Sequence, residues 1–338
     1  MAAIRHPVVL FGALLALLAA VGFGQSWSLA LAIVQLCLIS SVMALGVNMQ
    51  WGYAGLFNAG IMGFAALGGL AAVLVSVPPV PGAWAAGGVG IALIGLVLLA
   101  TVIVILLVRA RLPLPLRTPA TWLLAILGFV VVRVFYGPAV DAIESFDPAK
   151  YGFLGGLGLP ILISWLVGGA FAAGAAWLVG KITLGLRSDY LAIATLGISE
   201  IIIAMIKYED WLSRGVKNVT GLPRPVPYEI DLQEAPWFLE FADSLGADPV
   251  IASGIFVKLC YIALFALVLG SLIWLAERAL KSPWGRMMRA IRDNRDAAEA
   301  MGKDVTARHL QVFVLGSAVV GIAGAMLTTL DGQFTPSS

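Results

Sequence analysis

Charge is scarce in this chain: of 338 residues, 12% are Asp, Glu, Lys or Arg, about half the share of an ordinary soluble domain. Histidine is scarcer still, with only His6 and His309, and no His-Glu-x-x-His zinc pattern occurs. The two cysteines, Cys37 and Cys260, each sit inside an apolar run. There they read as small hydrophobes rather than as a disulfide pair or metal ligands, so no redox compartment is legible. A phosphate-cradling loop is lacking too. The nearest stretch, Gly180 to Thr183, has no glycine five residues earlier and no hydroxyl directly after its lysine. Any ATP that drives this chain must therefore be hydrolysed by another one, and no cofactor is expected on it. Groupings of the Ser/His/Asp type find no support, which argues against an intramembrane enzyme. A net charge of +2 gives no support to nucleic-acid binding.

Apolar residues fill the space that charge leaves, at 60% of the chain. Runs of about 20 apolar residues, enough to cross ~30 Å of hydrocarbon, recur along the whole length. The expected fold is all-α, a polytopic helical membrane protein, with residues 1–338 forming a single membrane domain. Nine candidate spans emerge: Val8 to Gly24, Ser28 to Val47, Tyr53 to Val77, Ala85 to Val108, Thr121 to Tyr136, Leu159 to Gly180, Tyr190 to Ile206, Ile255 to Ala276 and His309 to Leu330. Arg5 and His6 before the first run resemble the start of a signal peptide. The run is long for one, however, and the topology closes only if it is retained as a span.

The loops test this count, because short cytoplasmic loops hold an excess of Lys and Arg. With Arg5 inside, Arg109, Arg111 and Arg117 fall inside between the fourth and fifth spans, and Lys181 and Arg187 between the sixth and seventh. Between the eighth and ninth lie eight bases against five acids, also inside. The outer loops are acidic. Asp141, Glu144 and Asp147 face Lys150 in one, and Glu209 to Asp248 carries eight acids against Arg214, Lys217 and Arg224 in the other. The second belongs to an extended outer segment, residues 208–254, with Pro223, Pro225, Pro227, Pro236 and Pro249. A connection this long is either functional or a shield over the outer helix ends.

Few ionisable residues lie deep in the spans. A charge at mid-membrane costs ~2.5–3.5 kcal/mol on insertion scales, so Arg133 in the fifth span and Glu200 in the seventh each require a reason. Counted from the inner ends of those spans at ~1.5 Å per residue, the two are expected at similar depth, where they are candidates for a pair. Lys258 is near enough to an outer end to snorkel. The third span is rich in small residues at four-residue spacing (Gly55, Ala59, Gly63; Gly60, Phe64, Gly68). They suit either close helix packing or a broken or re-entrant helix whose backbone, near Asn48 and Asn58, lines a translocation path.

Between the last two spans, residues 282–308, the chain reads SPWGRMMRAIRDNRDAAEAMGKD from Ser282. Ser282 and Pro283 suit a helix start and Gly302 a helix end. Met287, Ile291, Ala298 and Met301 share helical spacing, with Arg and Asp on the other flank. One or two amphipathic helices on the inner face are expected. A helix held by anionic lipid would need larger apolar side chains than Ala297 and Ala298. Small residues instead permit close docking of a protein surface, with charges steering it.

Asp296-Ala297-Ala298-Glu299-Ala300-Met301-Gly302 resembles the Glu-Ala-Ala-x-x-x-Gly loop of ABC importer permeases, with Asp in place of Glu and without the later Leu-Pro. Three longer stretches resemble one branch, the M-type subunits of branched-chain amino acid permeases: ALGVNMQWGYAGLFNAG at 44–60, LRSDYLAIATLGISEI at 186–201 and GRMMRAIRDNRDAAEAMGKDVTARHLQVFVLGSAVVGIAGAM at 285–326. The resemblance implies a heterodimer with a second permease subunit, two cytoplasmic ATPase subunits, a periplasmic substrate-binding protein, and a bacterial inner membrane with the N-terminus cytoplasmic. It implies a coupling role for Asp296, Ala297, Ala298, Glu299 and Gly302, flanked by Arg292 and Arg295. It also matches Asn48, Gly52, Tyr53, Gly55 and Glu200 to family positions, to which Asn58 and Arg133 are added as candidates for the path or for helix packing. The family continues past the position of Ser338 with a further glycine-rich span or two, so a truncated product is expected. Permeases for urea or short amides share these features. An ion-coupled secondary transporter would need no docking loop and would carry more intramembrane acids, and a membrane subunit without transport remains a third reading.

Overall fold

Serine, aspartate and proline mark where most of the helices begin. In the computed structural model, which describes residues 7–148, 151–186 and 188–336, thirteen helices of six residues or more follow one another. They are α1 (Pro7–Gly24), α2 (Trp27–Asn48), α3 (Ile61–Ser76), α4 (Val89–Arg111), α5 (Leu114–Glu144), α6 (Ile161–Thr183), α7 (Ser188–Tyr208), α8 (Glu229–Glu234), α9 (Pro236–Ser244), α10 (Pro249–Lys281), α11 (Pro283–Asp293), α12 (Arg295–Ala300) and α13 (Val305–Asp331). Arg5, His6, Lys150 and Arg187, which entered the loop-charge reading, lie outside the described residues.

The chain is an all-α polytopic membrane protein. Among the described residues, seven helical segments are long and apolar enough to cross a membrane; the first expected span forms the shorter apolar helix Val8–Gly24, and the third, expected over Tyr53 to Val77, contributes only the shorter Ile61–Ser76. At ~1.5 Å per residue α3 reaches about 24 Å, less than the hydrocarbon thickness. Eleven of its sixteen residues are buried, so it is a core helix enclosed by its neighbours. The fifth span is longer than expected. Pro115 sits in the first turn of α5, where a missing N–H costs little, whereas Pro119 and Pro138 lie inside the helix.

At the centre lies α13, packed by α2, α3 and α6. Without hydrophobic drive between helices in lipid, close backbone approach supplies the contact. A Cβ on Gly68 of α3 would fall 1.9 Å from the Gly321 carbonyl oxygen, one on Gly324 2.0 Å from that of Ala65, and one on Gly46 2.6 Å from that of Gly316. The small residues of the third span therefore serve packing. The helices α4 and α5 pair with each other at the periphery, and most of their side chains are exposed.

Charge sorts by end. Lys181, Arg278 and Lys281 close α6 and α10 at the end where α11 and α12 sit. At the opposite end Glu209 accepts hydrogen bonds from the Tyr136 hydroxyl and, at 2.7 Å, from Trp211 Nε1. The outer segment folds down on this end. Val219–Thr220 pairs antiparallel with Gln333–Phe334 just after α13, Val219 opposite Phe334, and Phe238 of α9 is fully buried beside Phe256 of α10.

Candidate functional site

The first part of the third expected span is a break. The helix of α2 widens into a π-helical turn at Met49–Tyr53, and residues 55–60 form no regular structure before α3 begins. Gly55 has φ +71°, a conformation that costs little only without a Cβ. Freed backbone at such a depth needs partners, and side chains supply them. Asn58 Oδ1 accepts from the Gly60 N–H at 2.9 Å, Thr195 Oγ1 of α7 from that of Ala59 at 3.2 Å, and Ser199 Oγ from that of Gly63 at 2.8 Å.

A buried amide pair locks the break to α13. Gln50, 1% exposed, donates from Nε2 to the Phe313 carbonyl and to Ser317 Oγ, both at 2.9 Å, and its Oε1 accepts from Asn58 Nδ2 at 2.9 Å. The sequence pointed to Asn58 and missed Gln50, Ser317, Thr195 and Ser199. The available signal was the four-residue spacing of Thr195 and Ser199, which puts both hydroxyls on one face of α7. Asn48, by contrast, is exposed, and a Cβ on Gly52 would lie 2.0 Å from its Oδ1. It opens onto a cleft of about 520 Å³ shared with Ser40, Ala44, Val47, Trp51 and Ile61. Tyr53 is half-buried against Met49, Leu280 and Trp284.

The segment between α10 and α13 folds as two helices joined at Asn294. Asn294 caps α12 by accepting from the Ala297 N–H at 3.0 Å, and Asp304 caps α13 by accepting from that of Ala307 at 2.9 Å. Gly302, at φ +74°, ends α12. Ile291 and Met288 are buried, anchoring α11. Between α11 and α12 opens a groove of about 350 Å³, lined by Met287, Ala290, Asn294, Ala297, Ala298 and Met301. Met301 is 80% exposed. Asp296 and Glu299 are exposed beside it, and Arg295 pairs with Glu299 at 3.0 Å.

Arg292 is placed differently from its neighbours. Its Nη1 donates to the Gly52 carbonyl oxygen at 2.7 Å, while Nε and Nη2 reach Asp293 Oδ1 at 3.2 and 3.0 Å. Its Cγ lies 3.3 Å from where a Cβ on Gly55 would be. A guanidinium thus ties the helix pair directly to the break.

The expected approach of Arg133 to Glu200 is not found. Among the described residues no ion pair joins them, and both are exposed on helices with different partners, α5 against α4 and α7 against α3. Because α5 starts at Leu114, Arg133 lies about 28 Å along its helix, against about 18 Å for Glu200 from Ser188. Among the described residues no group of three or more His, Cys, Asp or Glu is placed to hold a metal ion.

The helices, the broken span and the capped helix pair define a polytopic helical membrane protein. Comparison with known proteins carries this further. The family model described as branched-chain amino acid transport system / permease component matches residues 142–338, and the chain belongs to this family. It is 30% identical over 178 residues to the high-affinity branched-chain amino acid transport system permease protein LivM of Escherichia coli, covering 51% of this chain and 40% of that protein. It is 28% identical over 173 residues to the probable branched-chain amino acid transport permease protein LivM of Methanocaldococcus jannaschii, covering 51% and 42%. The chain thus spans about two fifths of the length of the curated relatives it matches. These relatives are named as transport permeases, not enzymes. No solved structure matches the chain. The match takes in the stretches at 186–201 and 285–326, whereas 44–60 precedes it.

Proposed function

We propose that this chain is a permease subunit of an ATP-driven importer of branched-chain amino acids, working with a second permease, two cytoplasmic ATPase subunits and a periplasmic binding protein. The end that carries Lys181, Arg278, Lys281, α11 and α12 is assigned to the cytoplasm of a bacterial inner membrane by its excess of positive charge. The observation that carries the reading is the α11–α12 groove together with Arg292. The groove is lined by Ala290, Ala297 and Ala298 with Met287, Ile291, Met301 and Lys303, and Arg295, Asp296 and Glu299 are exposed on the same short helix as Ala297 and Ala298, which suits a protein knob rather than a lipid tail. Arg292 joins it mechanically to Gly52. Force applied at the groove reaches the broken span through one hydrogen bond and the buried α11 anchor. The substrate class rests on family membership and on the names of the relatives. The test is co-expression with ATPase subunits and purification through a tag on this chain. The expected result is a stable complex whose ATP hydrolysis responds to the amino-acid-loaded binding protein; a chain that purifies without ATPase contradicts the reading.

A further inference from the structure

Three carboxamides stand around the break, and two of them are spent. Gln50 and Asn58 are buried and hydrogen-bonded to each other and, through Gln50, to α13. Asn48 is exposed, and among the described residues its side chain makes no hydrogen bond. It opens onto the cleft of about 520 Å³, a volume within the ~300–1,000 Å³ of ordinary small-molecule sites. Ser40, Ala44 and Asn48 recur at four-residue spacing, so one face of α2 forms a wall of the cleft. Ser41 returns its hydroxyl to the Cys37 carbonyl at 2.7 Å, whereas Ser40, on the cleft side, makes no such bond among the described residues. Met43, Val47 and Ile61 supply aliphatic surface, and the Trp51 ring, set edge-on to Phe57 at 5.3 Å, supplies an aromatic one. None of the lining residues is ionisable.

These contents discriminate among occupants. A lipid tail would bury the Asn48 amide and the Ser40 hydroxyl without partners, each at the cost of an unsatisfied polar group. A solute with a charged side chain would find no counter-charge. A zwitterion on a branched aliphatic chain meets both demands, because its two end charges offset each other and a carboxamide can donate to a carboxylate and accept from an ammonium. Gly52 puts the cleft on the coupling route: the residue that lines it also gives its carbonyl oxygen to Arg292 at 2.7 Å.

We infer that this cleft is the intramembrane site of the transported amino acid, with Asn48 holding the zwitterionic end and Met43, Val47 and Ile61 taking the branched side chain. This rests on the transport reading above and deepens it, since occupancy of the cleft and force on the α11–α12 groove meet at one π-helical turn.

The test uses the complete transporter in proteoliposomes. In a Cys37→Ser, Cys260→Ser background, Ala44→Cys is treated with a charged, water-soluble methanethiosulfonate, and labelling is read on this chain. The expected result is labelling in the assembled transporter that leucine, delivered by its binding protein, slows severalfold. In a second arm, Ala44→Leu narrows the cleft by the bulk of a side chain, and one methylene separates leucine from valine. The ratio of leucine to valine uptake is expected to fall about tenfold, where a merely structural defect would lower both alike. Labelling confined to an uncharged, lipid-soluble maleimide overturns the assignment in favour of a lipid tail. Labelling of the isolated chain but not of the assembled transporter overturns it in favour of the second permease. Labelling indifferent to leucine, or an unchanged uptake ratio in an assembled Ala44→Leu transporter, also overturns it, and all of these leave the transport reading intact. If Ala44→Leu does not assemble, the labelling arm decides. Absence of leucine uptake by the unaltered transporter overturns the transport reading itself.

Discussion

Arg292 Nη1 donates a 2.7 Å hydrogen bond to the carbonyl oxygen of Gly52. The donor belongs to α11 and the acceptor to the π-helical end of α2, so the bond adds a directional tie to the packing of Met49 and Tyr53 beside Trp284 and Met288. A charge-assisted bond contributes ~1.5–3 kcal/mol, and ~1.4 kcal/mol is tenfold in an equilibrium. Arg292→Ala is therefore expected to lower ATP-driven uptake by about tenfold or more while ATPase subunits remain bound and hydrolyse ATP. Arg292→Lys is expected to recover only part of it, because an ammonium cannot hold Asp293 and Gly52 with the same fork. Uptake and hydrolysis measured on one preparation check this.

Ala298→Arg acts at the other end of the same route. Its side chain would fill the groove beside Ala297 and Met301. The expected outcome is loss of ATPase association with unchanged membrane insertion and unchanged thermal stability of the isolated chain. Co-purification yields read it.

Gln50 and Asn58 stabilise the break as one unit. Replacing either with leucine leaves its partner's buried amide unsatisfied, at ~1–3 kcal/mol. The double replacement is expected to cost less than the sum of the two, since each single change orphans a group that the double change removes. Thermal unfolding in detergent, arranged as a double-mutant cycle, measures the coupling.

Gly68 and Gly321 let α3 and α13 touch. Gly68→Val places a Cβ on the Gly321 carbonyl, and such overpacking costs ~1–3 kcal/mol. The expected outcome is a lower melting temperature, with Gly174→Val of α6, whose Cβ would meet nothing within 4 Å, close to unaltered.

Much of this architecture is legible in the sequence, for physical reasons that differ by element. Apolar runs and prolines locate the helices because lipid leaves the backbone no alternative. Even so, Ile61–Ser76 is shorter than the run Tyr53 to Val77, because Gly55, Asn58 and Gly60 divert its first turns. The caps at Asn294 and Asp304 and the stop at Gly302 follow from local chemistry, so the inner helix pair reads well. What the sequence could not convey is rotation. Distance along a helix is countable, but the direction in which Glu200 or Arg133 faces depends on which neighbours pack around it, and the two face different surroundings. Gln50 escaped notice for the same reason: a lone amide in an apolar stretch gains meaning only when Phe313, some 260 residues away, lies 2.9 Å from it.

The most direct measurement is uptake of leucine, isoleucine, valine and urea into proteoliposomes containing this chain with its second permease, ATPases and binding protein. Accumulation of the three amino acids that requires ATP on the ATPase side, and is indifferent to imposed ion gradients, is the expected result. Accumulation driven by a proton or sodium gradient without ATP would contradict it.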